Sequence, residues 1–104
     1  MRLSTRFWQN MKINFSQNAL LNLDDIATYI YKQSQSKTIT AQHIRTLRKY
    51  IHISLSDFPK IGRPAEEFGK NIRKLVFQRY SILYMIEENH INIVAIYREN
   101  LPSI

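Results

Sequence analysis

Cysteine is absent from this chain of 104 residues, which excludes disulfide bonds, thiolate catalysis and cysteine-ligated metal centres. Glycine and proline are scarce: there are two glycines and three prolines, and four of these five residues lie between positions 59 and 69. Apolar runs such as Ile82–Ile86 are far shorter than the ~20 residues that a membrane-spanning helix needs. We therefore expect no membrane association, and a chain without disulfides fits a cytoplasmic location.

Acidic residues are also few, since eight Asp and Glu stand against fifteen Lys and Arg, for a net charge of +7. Residues 43–80 carry nine basic and three acidic side chains, whereas residues 81–104 carry one basic and three acidic ones. Such a field accelerates encounters with polyanions, either nucleic acid or an acidic protein. A role in solubility alone explains the same excess.

The length of the chain fits one domain, because single cores usually organise roughly 100–150 residues. The opening residues include two arginines but no apolar segment of the length that a secretion signal requires. We divide the chain into an N-terminal extension, residues 1–11, and a single domain, residues 12–104. The first ten residues, with Phe7 and Trp8, are expected to be dispensable for folding.

The domain begins with a pattern that predicts a short strand and a helix. Lys12–Phe15 alternates polar and apolar residues, and the Ser16 hydroxyl can cap a helix from Gln17 to about Gln33. Apolar residues recur at intervals of three and four, which predicts one buried stripe. That stripe consists of Leu20, Leu23, Ala27 and Ile30, with Ile26 and Tyr31 beside it.

A second helix follows the polar connector Ser34–Lys37, with Thr38 or Thr40 as its cap. It ends before Pro59, because the residue that precedes a proline is disfavoured in helical geometry. Its predicted buried stripe is Ile44, Leu47, Ile51, Leu55 and Phe58, and the residues expected to face water are Arg45, Arg48, Lys49 and His52.

The second half of the chain predicts an irregular loop and then three strands. Lys60–Gly69 is the loop, and the β-branched and aromatic runs are Asn71–Gln78, Tyr80–Glu87 and His90–Arg98. Their short connections predict an antiparallel meander whose middle strand is covered on both faces. The predicted fold is α+β: a two-layer β-α-α-β-β-β arrangement with a helical hairpin packed on an antiparallel sheet.

Few residues have the spacing of a catalytic or metal centre. None of the three histidines, His43, His52 and His90, has a second ligand at the spacing of a metal site. The adjacent pair Asp24 and Asp25 point about 100° apart on a helix and cannot act on one substrate atom. The two glycines do not form a phosphate-binding loop. We expect neither a metal nor a cofactor.

Basic residues interleaved with tyrosines remain as candidates, because guanidinium groups bind phosphates and phenol rings stack on bases. A small metal-free ribonuclease is one possible use of such residues. Tyr97 and Arg98 end the last strand, where we expect side chains to project without a packing partner. The whole set is Arg63, Lys70, Arg73, Lys74, Arg79, Tyr80, Tyr84, Tyr97 and Arg98.

The order of these elements and motifs resembles the ParE/RelE toxin superfamily of bacterial type II toxin–antitoxin pairs, over roughly Lys12 to Asn100. Three short motifs carry the resemblance, together with the helix sequence ALLNLDDIATYI. They are Pro-x-x-Gly-Arg at Pro59, Gly62 and Arg63; Gly-x-x-Ile-Arg-x-Leu at Gly69, Ile72, Arg73 and Leu75; and Tyr-x-Ile-x-Tyr at Tyr80, Ile82 and Tyr84.

The resemblance implies one of two targets. RelE-like members cleave messenger RNA on the ribosome with basic residues of the central strands, whereas ParE-like members inhibit DNA gyrase. Where the ribonucleases carry arginines, this sequence has Val76 and Ser81, which cannot stabilise a phosphorane or protonate a leaving oxygen. The gyrase branch is favoured, the ribosome-dependent endoribonuclease is the alternative, and a non-toxic basic binding module of this fold is the third reading.

The resemblance also implies partners and site residues. A cognate antitoxin, acidic in its toxin-binding segment, is expected to form a hetero-oligomer with this chain, in keeping with the net +6 of residues 43–80. The residues expected to bind the target are Arg63, Arg73, Arg79, Tyr97 and Arg98. If the chain is a ribonuclease, the catalytic residues are expected to be Arg73, Arg79, Tyr97 and Arg98.

Overall fold

The computed structural model describes residues 11–99, in which two helices cover one face of a five-stranded sheet. The expectation that the first ten residues are dispensable falls outside this range. The elements are β1 (Lys12–Phe15), α1 (Gln17–Ser34), α2 (Lys37–Asp57), β2 (Arg63–Pro64), a short 3-10 turn (Glu66–Phe68), β3 (Arg73–Phe77), β4 (Tyr80–Ile86) and β5 (His90–Arg98).

The strand order is β1-β5-β4-β3-β2. The predicted meander of β3, β4 and β5 is confirmed, and all its pairings are antiparallel. The sheet as a whole is mixed, however, because β1 runs parallel to β5 with Lys12 opposite His90. A parallel pair needs a long crossover, which the helical hairpin supplies. The predicted loop also contains a strand, β2, that extends the sheet beyond β3.

Helix α1 begins as predicted, because the Ser16 hydroxyl accepts a hydrogen bond from the amide of Ala19 at 3.0 Å. The predicted stripe is confirmed at Leu23, and Ile26 beside it is also buried, but Leu20 is 43% exposed, Tyr31 is 41% exposed, and Ala19 is buried instead. At the start of the helix the buried position is therefore one residue earlier than predicted, a rotation of about 100°, whereas Leu23 and Ile30 face the core as predicted. The small side chain of Ala19 marks the core-facing position more weakly than the neighbouring leucines mark theirs.

Helix α2 begins earlier than predicted, because its cap is Ser36 rather than Thr38 or Thr40. The Ser36 hydroxyl accepts a hydrogen bond from the amide of Ile39 at 3.1 Å. The helix ends at Asp57, before Pro59. Most of the predicted stripe is confirmed, with Leu47, Ile51 and Leu55 buried and Ile44 half-buried, but Phe58 is 64% exposed. The predicted water-facing residues Arg45, Arg48, Lys49 and His52 are exposed.

Polar contacts hold α1 on β5. A register shift between β4 and β5 leaves Val94 without a partner in the ladder. Its carbonyl accepts hydrogen bonds from the Ser16 hydroxyl at 3.2 Å and the Asn18 amide at 3.1 Å. The Asn22 side-chain oxygen accepts from the amide of Ile96 at 2.9 Å. The irregular strand therefore receives its missing hydrogen bonds from the first turns of the helix.

Apolar residues cover both faces of the sheet, as predicted for β4. The main core lies between the helices and the sheet and includes Tyr80, Ile82 and Tyr84. A smaller cluster on the opposite side, here called the outer face, is built from Ala65, Ile72 and Leu83, with Met85, Val94, Ala95 and Tyr97 packed around it. Neither helix within residues 11–99 is apolar over the length that crossing a bilayer would require.

Candidate functional site

The loop after α2 is fastened to the sheet by two side chains. The Tyr84 hydroxyl donates to the Pro59 carbonyl at 2.7 Å and accepts from the amide of Gly62 at 2.9 Å. The Arg73 guanidinium donates to the carbonyls of Gly62 at 2.9 Å and Lys60 at 3.1 Å. Arg73, a predicted target-binding residue, thus directs its guanidinium to this loop on the helix side of the sheet.

Gly62 has no room for a side chain. A Cβ atom there would lie 2.7 Å from the Lys74 carbonyl oxygen and 2.8 Å from the Tyr84 ring. The Pro-x-x-Gly-Arg motif is therefore explained by packing: Pro59 and Gly62 both bond to Tyr84, and Gly62 lies against the backbone of β3. The motif shapes the loop that brings Arg63 onto the sheet.

Replacing Tyr84 with phenylalanine is expected to lower the free energy of unfolding by about 1–3 kcal/mol at neutral pH, because the buried amide of Gly62 loses its acceptor. Burial raises the pKa of the Tyr84 phenol above its ordinary 10.0. Above pH 10 the unfolded phenol ionises while the folded one keeps its proton, so the wild-type stability falls as pH rises. The deficit of the variant should therefore shrink above pH 10.

Urea unfolding of both proteins between neutral pH and pH 11 measures this deficit. Tyr31→Phe is the matched control, because Tyr31 is 41% exposed and should change stability by less than about 0.5 kcal/mol. A constant deficit across the alkaline range would show that ionisation of Tyr84 is not linked to folding.

The outer face brings two basic side chains together, and each has an acidic partner. Arg63 and Lys74 are directly opposite each other across β2 and β3. Arg63 forms an ion pair with Glu67 at 2.8 Å, and the Lys74 ammonium lies 3.2 Å from Glu99. Glu99 also accepts a hydrogen bond from the buried Ser81 hydroxyl. The positive charges of Arg63 and Lys74 are therefore neutralised by the negative charges of Glu67 and Glu99.

Both carboxyl groups are held in their ionised form. The hydrogen bond from Arg63 lowers the pKa of Glu67 and raises that of Arg63 itself. The hydrogen bond from Ser81, with a second from Lys74, lowers the pKa of Glu99. These ion pairs therefore persist well below neutral pH.

Two aromatic rings enclose Lys74 on the outer face. Its ammonium lies 5.8 Å from the centre of the Phe68 ring and 6.0 Å from that of Tyr97. The two rings are 6.2 Å apart and tilted by 48°. The Lys74 side chain is only 16% exposed, whereas Phe68 is 45% exposed. A partly buried cation between two rings is a cation–π arrangement.

Tyr97 and Arg98 lie on opposite sides of the sheet, because they are adjacent in a strand. Tyr97 packs with Phe68 on the outer face. The Arg98 guanidinium carbon lies 4.4 Å above the ring of Tyr29 in α1. The prediction that these two side chains lack packing partners is therefore wrong. The sequence shows only that these residues end a strand, whereas in the fold residues from distant elements pack against both faces of that strand end.

Arg79 and Arg98 lie at the same end of the sheet. Arg79 is exposed in the turn between β3 and β4, and its carbonyl accepts a hydrogen bond from the amide of Glu99 at 2.6 Å. Arg98 is exposed and faces Tyr80 across the ladder. The Tyr80 hydroxyl is 2.7 Å from the ring nitrogen of His43, and burial raises the pKa of Tyr80. This end carries two exposed guanidinium groups.

The central strands lack a cation where the ribonucleases of the superfamily are expected to have one. Val76 and Ser81 face each other across β3 and β4. Val76 is 53% exposed, and Ser81 is buried and bonded to Glu99. An exposed methyl surface therefore occupies the middle of this part of the outer face.

The sequence did not indicate that a groove would form between the two helices. Its volume is about 1160 Å³, and Ala27, Tyr31, Ala41 and Ile44 give it an apolar floor. Six basic side chains also line the groove: Lys32, Lys37, Arg45, Arg48, Lys49 and His52. Among residues 11–99, no carboxylate lines it. We call this surface the helix groove. The sequence feature that could have indicated the helix groove is the set of basic residues on α2.

Structure thus separates the predicted site residues into three places. Arg63 and Tyr97 share the outer face, Arg79 and Arg98 share one end of the sheet, and Arg73 holds the loop. Lys74, which the sequence placed only in the wider basic set, is at the centre of the outer face. Residues 11–99 contain no group of three side chains that is suited to hold a metal ion.

Comparison with known proteins agrees with this architecture. The family model described as the ParE toxin of type II toxin–antitoxin systems, parDE, matches residues 13–100. No curated protein matches the chain. A solved structure described as the chromosomal ParDE TA system from P. aeruginosa superposes with a TM-score of 0.74 at 19% identity, covering 88% of this chain and 99% of that one. The chain belongs to the ParE toxin family of type II toxin–antitoxin systems.

Proposed function

We propose that this toxin acts in the cytoplasm by inhibiting DNA gyrase and is neutralised by an antitoxin that occupies the helix groove. Membership in the ParE family supports a toxin with a cognate antitoxin. The choice of gyrase depends on one observation: among residues 11–99, the outer face has no unpaired cation at its centre. Arg63 and Lys74 are bound to carboxylates, and Val76 and Ser81 stand at the central positions.

Phosphodiester cleavage requires groups that stabilise the charge of a phosphorane and protonate the leaving oxygen. Lys74 and Arg63 would have to leave Glu99 and Glu67 to do so, and these carboxylates would repel a phosphate from the same surface. Binding to a protein target needs no such chemistry. The arrangement is therefore better suited to an inhibitor that grips its target than to an enzyme.

Arg79 and Arg98 at one end of the sheet, and Tyr97 on the outer face, are the proposed contacts with gyrase. The two guanidinium groups are exposed at one end of the sheet, and the guanidinium group of Arg98 packs on the ring of Tyr29, which orients it. Arginine and tyrosine are the residue types that most often dominate the energy of protein interfaces. Arg63 is a further candidate at the edge of the outer face, where it is about half exposed.

Replacing Arg98 with alanine is expected to raise the concentration needed for half-inhibition of gyrase supercoiling by about tenfold or more, because an interface arginine is lost. The thermal midpoint should change little, since Arg98 is exposed. Arg45→Ala is the matched control: it removes the same charge from the helix groove, which Arg98 does not line. Equal inhibition of gyrase by the wild type and Arg98→Ala would show that Arg98 does not contact gyrase. Loss of the folded state in Arg98→Ala would show that Arg98 has a structural role.

The antitoxin is proposed to place an acidic amphipathic segment in the helix groove. An apolar floor between basic walls complements a helix with an apolar stripe and acidic flanks. Opposite charges on the two surfaces would accelerate association and fix its orientation. A hetero-oligomer of toxin and antitoxin is the expected resting form.

A ribosome-dependent endoribonuclease is the second candidate, favoured by the meeting of Arg63, Lys74 and Tyr97 on one face. It requires that the ribosome or its message displace Glu67 and Glu99. New ends in a ribosome-bound message would support it. A protein that is inactive in both assays and harmless when expressed without its partner would instead be a basic binding module of this fold.

A further inference from the structure

A second apolar pocket lies at one end of the sheet, beside the last turn of α2. Its volume is about 710 Å³, within the ~300–1,000 Å³ of sites that enclose a small organic molecule. It shares no lining residue with the helix groove. We call it the end pocket, and the apolar residues that line it are Met11, Phe58, Pro59, Ile61 and Ile86.

The end pocket continues the main core to the surface. Met11 and Ile86 are half-buried and pack against that core. Phe58 follows the buried Leu55 by three residues, so it extends the apolar stripe of α2, yet it is 64% exposed, and Ile61 is 48% exposed. Exposed apolar surface that is continuous with a core marks a place where another segment packs.

The residues before Met11 carry side chains suited to this pocket. Because Met11 itself lines the pocket, the chain of residues 1–10 joins the described domain at this place. Trp8 and Phe7 precede Met11 by three and four residues, so their Cα atoms can lie no more than about 11 Å and 14 Å from it. Aromatic side chains bury more apolar area than most others, which suits a pocket of this size.

The other end of the chain is too far away to fill the end pocket. Lys12 is opposite His90, at the start of β5, whereas residues 100–104 follow Glu99, beyond the end of that strand. Strand β5 has nine residues and is about 27 Å long. Five residues span at most about 18 Å, so residues 100–104 cannot reach the pocket.

Charge favours the same segment. Residues 1–10 include Arg2 and Arg6 but no carboxylate. Two charged residues, Asp57 and Lys60, line the pocket, and Asp57 is exposed and forms no ion pair with another residue of the 11–99 range. Arg6 directly precedes Phe7, so a segment that placed its rings in the pocket would bring a guanidinium group toward this carboxylate.

We propose that Phe7 and Trp8 pack into the end pocket of their own chain, against Phe58 and Ile61. The main core is built from residues of the 11–99 range, so the segment adds stability to a fold that does not require it. It also covers apolar surface that would otherwise be open to other molecules. The proposal is independent of the toxin's target and of the antitoxin.

The fluorescence of the full-length protein tests this contact, because Trp8 is the single tryptophan of the chain. Its emission maximum is expected at shorter wavelength than in the urea-unfolded chain, with weaker quenching by acrylamide. Phe58→Ala should shift the emission toward that of the unfolded chain, because the indole loses its contact surface. Phe68→Ala is the matched control: it truncates an exposed phenylalanine on the outer face and should leave the emission unchanged.

Urea unfolding supplies a second measurement. Trp8→Ala is expected to raise the equilibrium constant for unfolding by about tenfold, because the indole no longer buries apolar area. In a Phe58→Ala background the same change should have less than about a threefold effect, since the two residues are in contact. In a Phe68→Ala background the tenfold effect should persist. Ile61→Ala takes the place of Phe58→Ala in both measurements if the latter does not fold.

Three results would overturn the proposal. An emission maximum equal to that of the unfolded chain, or one that the pocket variants leave unchanged, would show that Trp8 does not lie in the end pocket. Protection of Trp8 that depends on protein concentration would assign the pocket to the N-terminal segment of a second copy. Protection that arises only after the antitoxin is added would assign the contact to the complex.

Discussion

Replacing Leu47 with alanine is expected to lower the free energy of unfolding by about 2–5 kcal/mol. Leu47 is 1% exposed in the middle of α2, and the core around it joins both helices to the sheet. The lost methyl groups leave a cavity that the neighbouring β-sheet residues cannot fill without moving. Since domains of this size are stable by about 5–15 kcal/mol, the loss is a large fraction of the total.

Urea unfolding followed by circular dichroism measures the effect. Leu21→Ala is the matched control, because Leu21 is a leucine in the other helix but is 55% exposed, and its truncation should cost less than about 0.5 kcal/mol. If Leu47→Ala and Leu21→Ala unfold at the same urea concentration, the helical hairpin does not pack on the sheet as described.

Reversing two charges of the helix groove is expected to weaken antitoxin binding by about a hundredfold. Arg45 and Lys49 are one turn apart on α2 and both line the groove. Arg45→Glu/Lys49→Glu would place two carboxylates opposite an acidic segment, and like charges at an interface cost several kcal/mol. A hundredfold change corresponds to about 2.7 kcal/mol. The loss of affinity should come mainly from a lower association rate constant. Isothermal titration with the cognate antitoxin measures the affinity, and stopped-flow mixing separates association from dissociation.

Lys60→Glu/Lys70→Glu makes the same change in net charge at exposed positions outside the groove and is the control. It should reduce affinity only slightly, and the difference between the two variants should diminish at high salt. An equal loss of affinity in both variants would mean that the antitoxin responds to the overall charge of the toxin and binds outside the helix groove.

Both helices and four of the five strands of this fold were predictable because each has a local signal, whereas β2 lies in the segment predicted as a loop. Ser16 caps α1, Pro59 follows the end of α2, and short turns separate β3, β4 and β5. The helix phase was less predictable, since Ala19 contributes little apolar surface although it faces the core. The parallel pairing of β1 with β5 has no local signal, because the period of two is the same for any partner strand.

The candidate site was predictable as a set of residue types but not as an arrangement. Arg73 and Lys74 are neighbours in sequence, yet one holds a loop on the helix side and the other is enclosed by rings on the outer face. Glu99 was not singled out, because its partners Ser81 and Lys74 are distant in the chain. The helix groove required the relative positions of two helices, which periodicity within each does not fix.

Under the proposed function, this toxin binds gyrase and does not cut RNA. One preparation of the purified protein, added in parallel to a gyrase supercoiling reaction and to a translation reaction, tests it directly. We expect that supercoiling falls, that cleaved DNA linked to gyrase accumulates, and that primer extension finds no new ends in the message. New ends at the decoding site, with supercoiling unaffected, would contradict it.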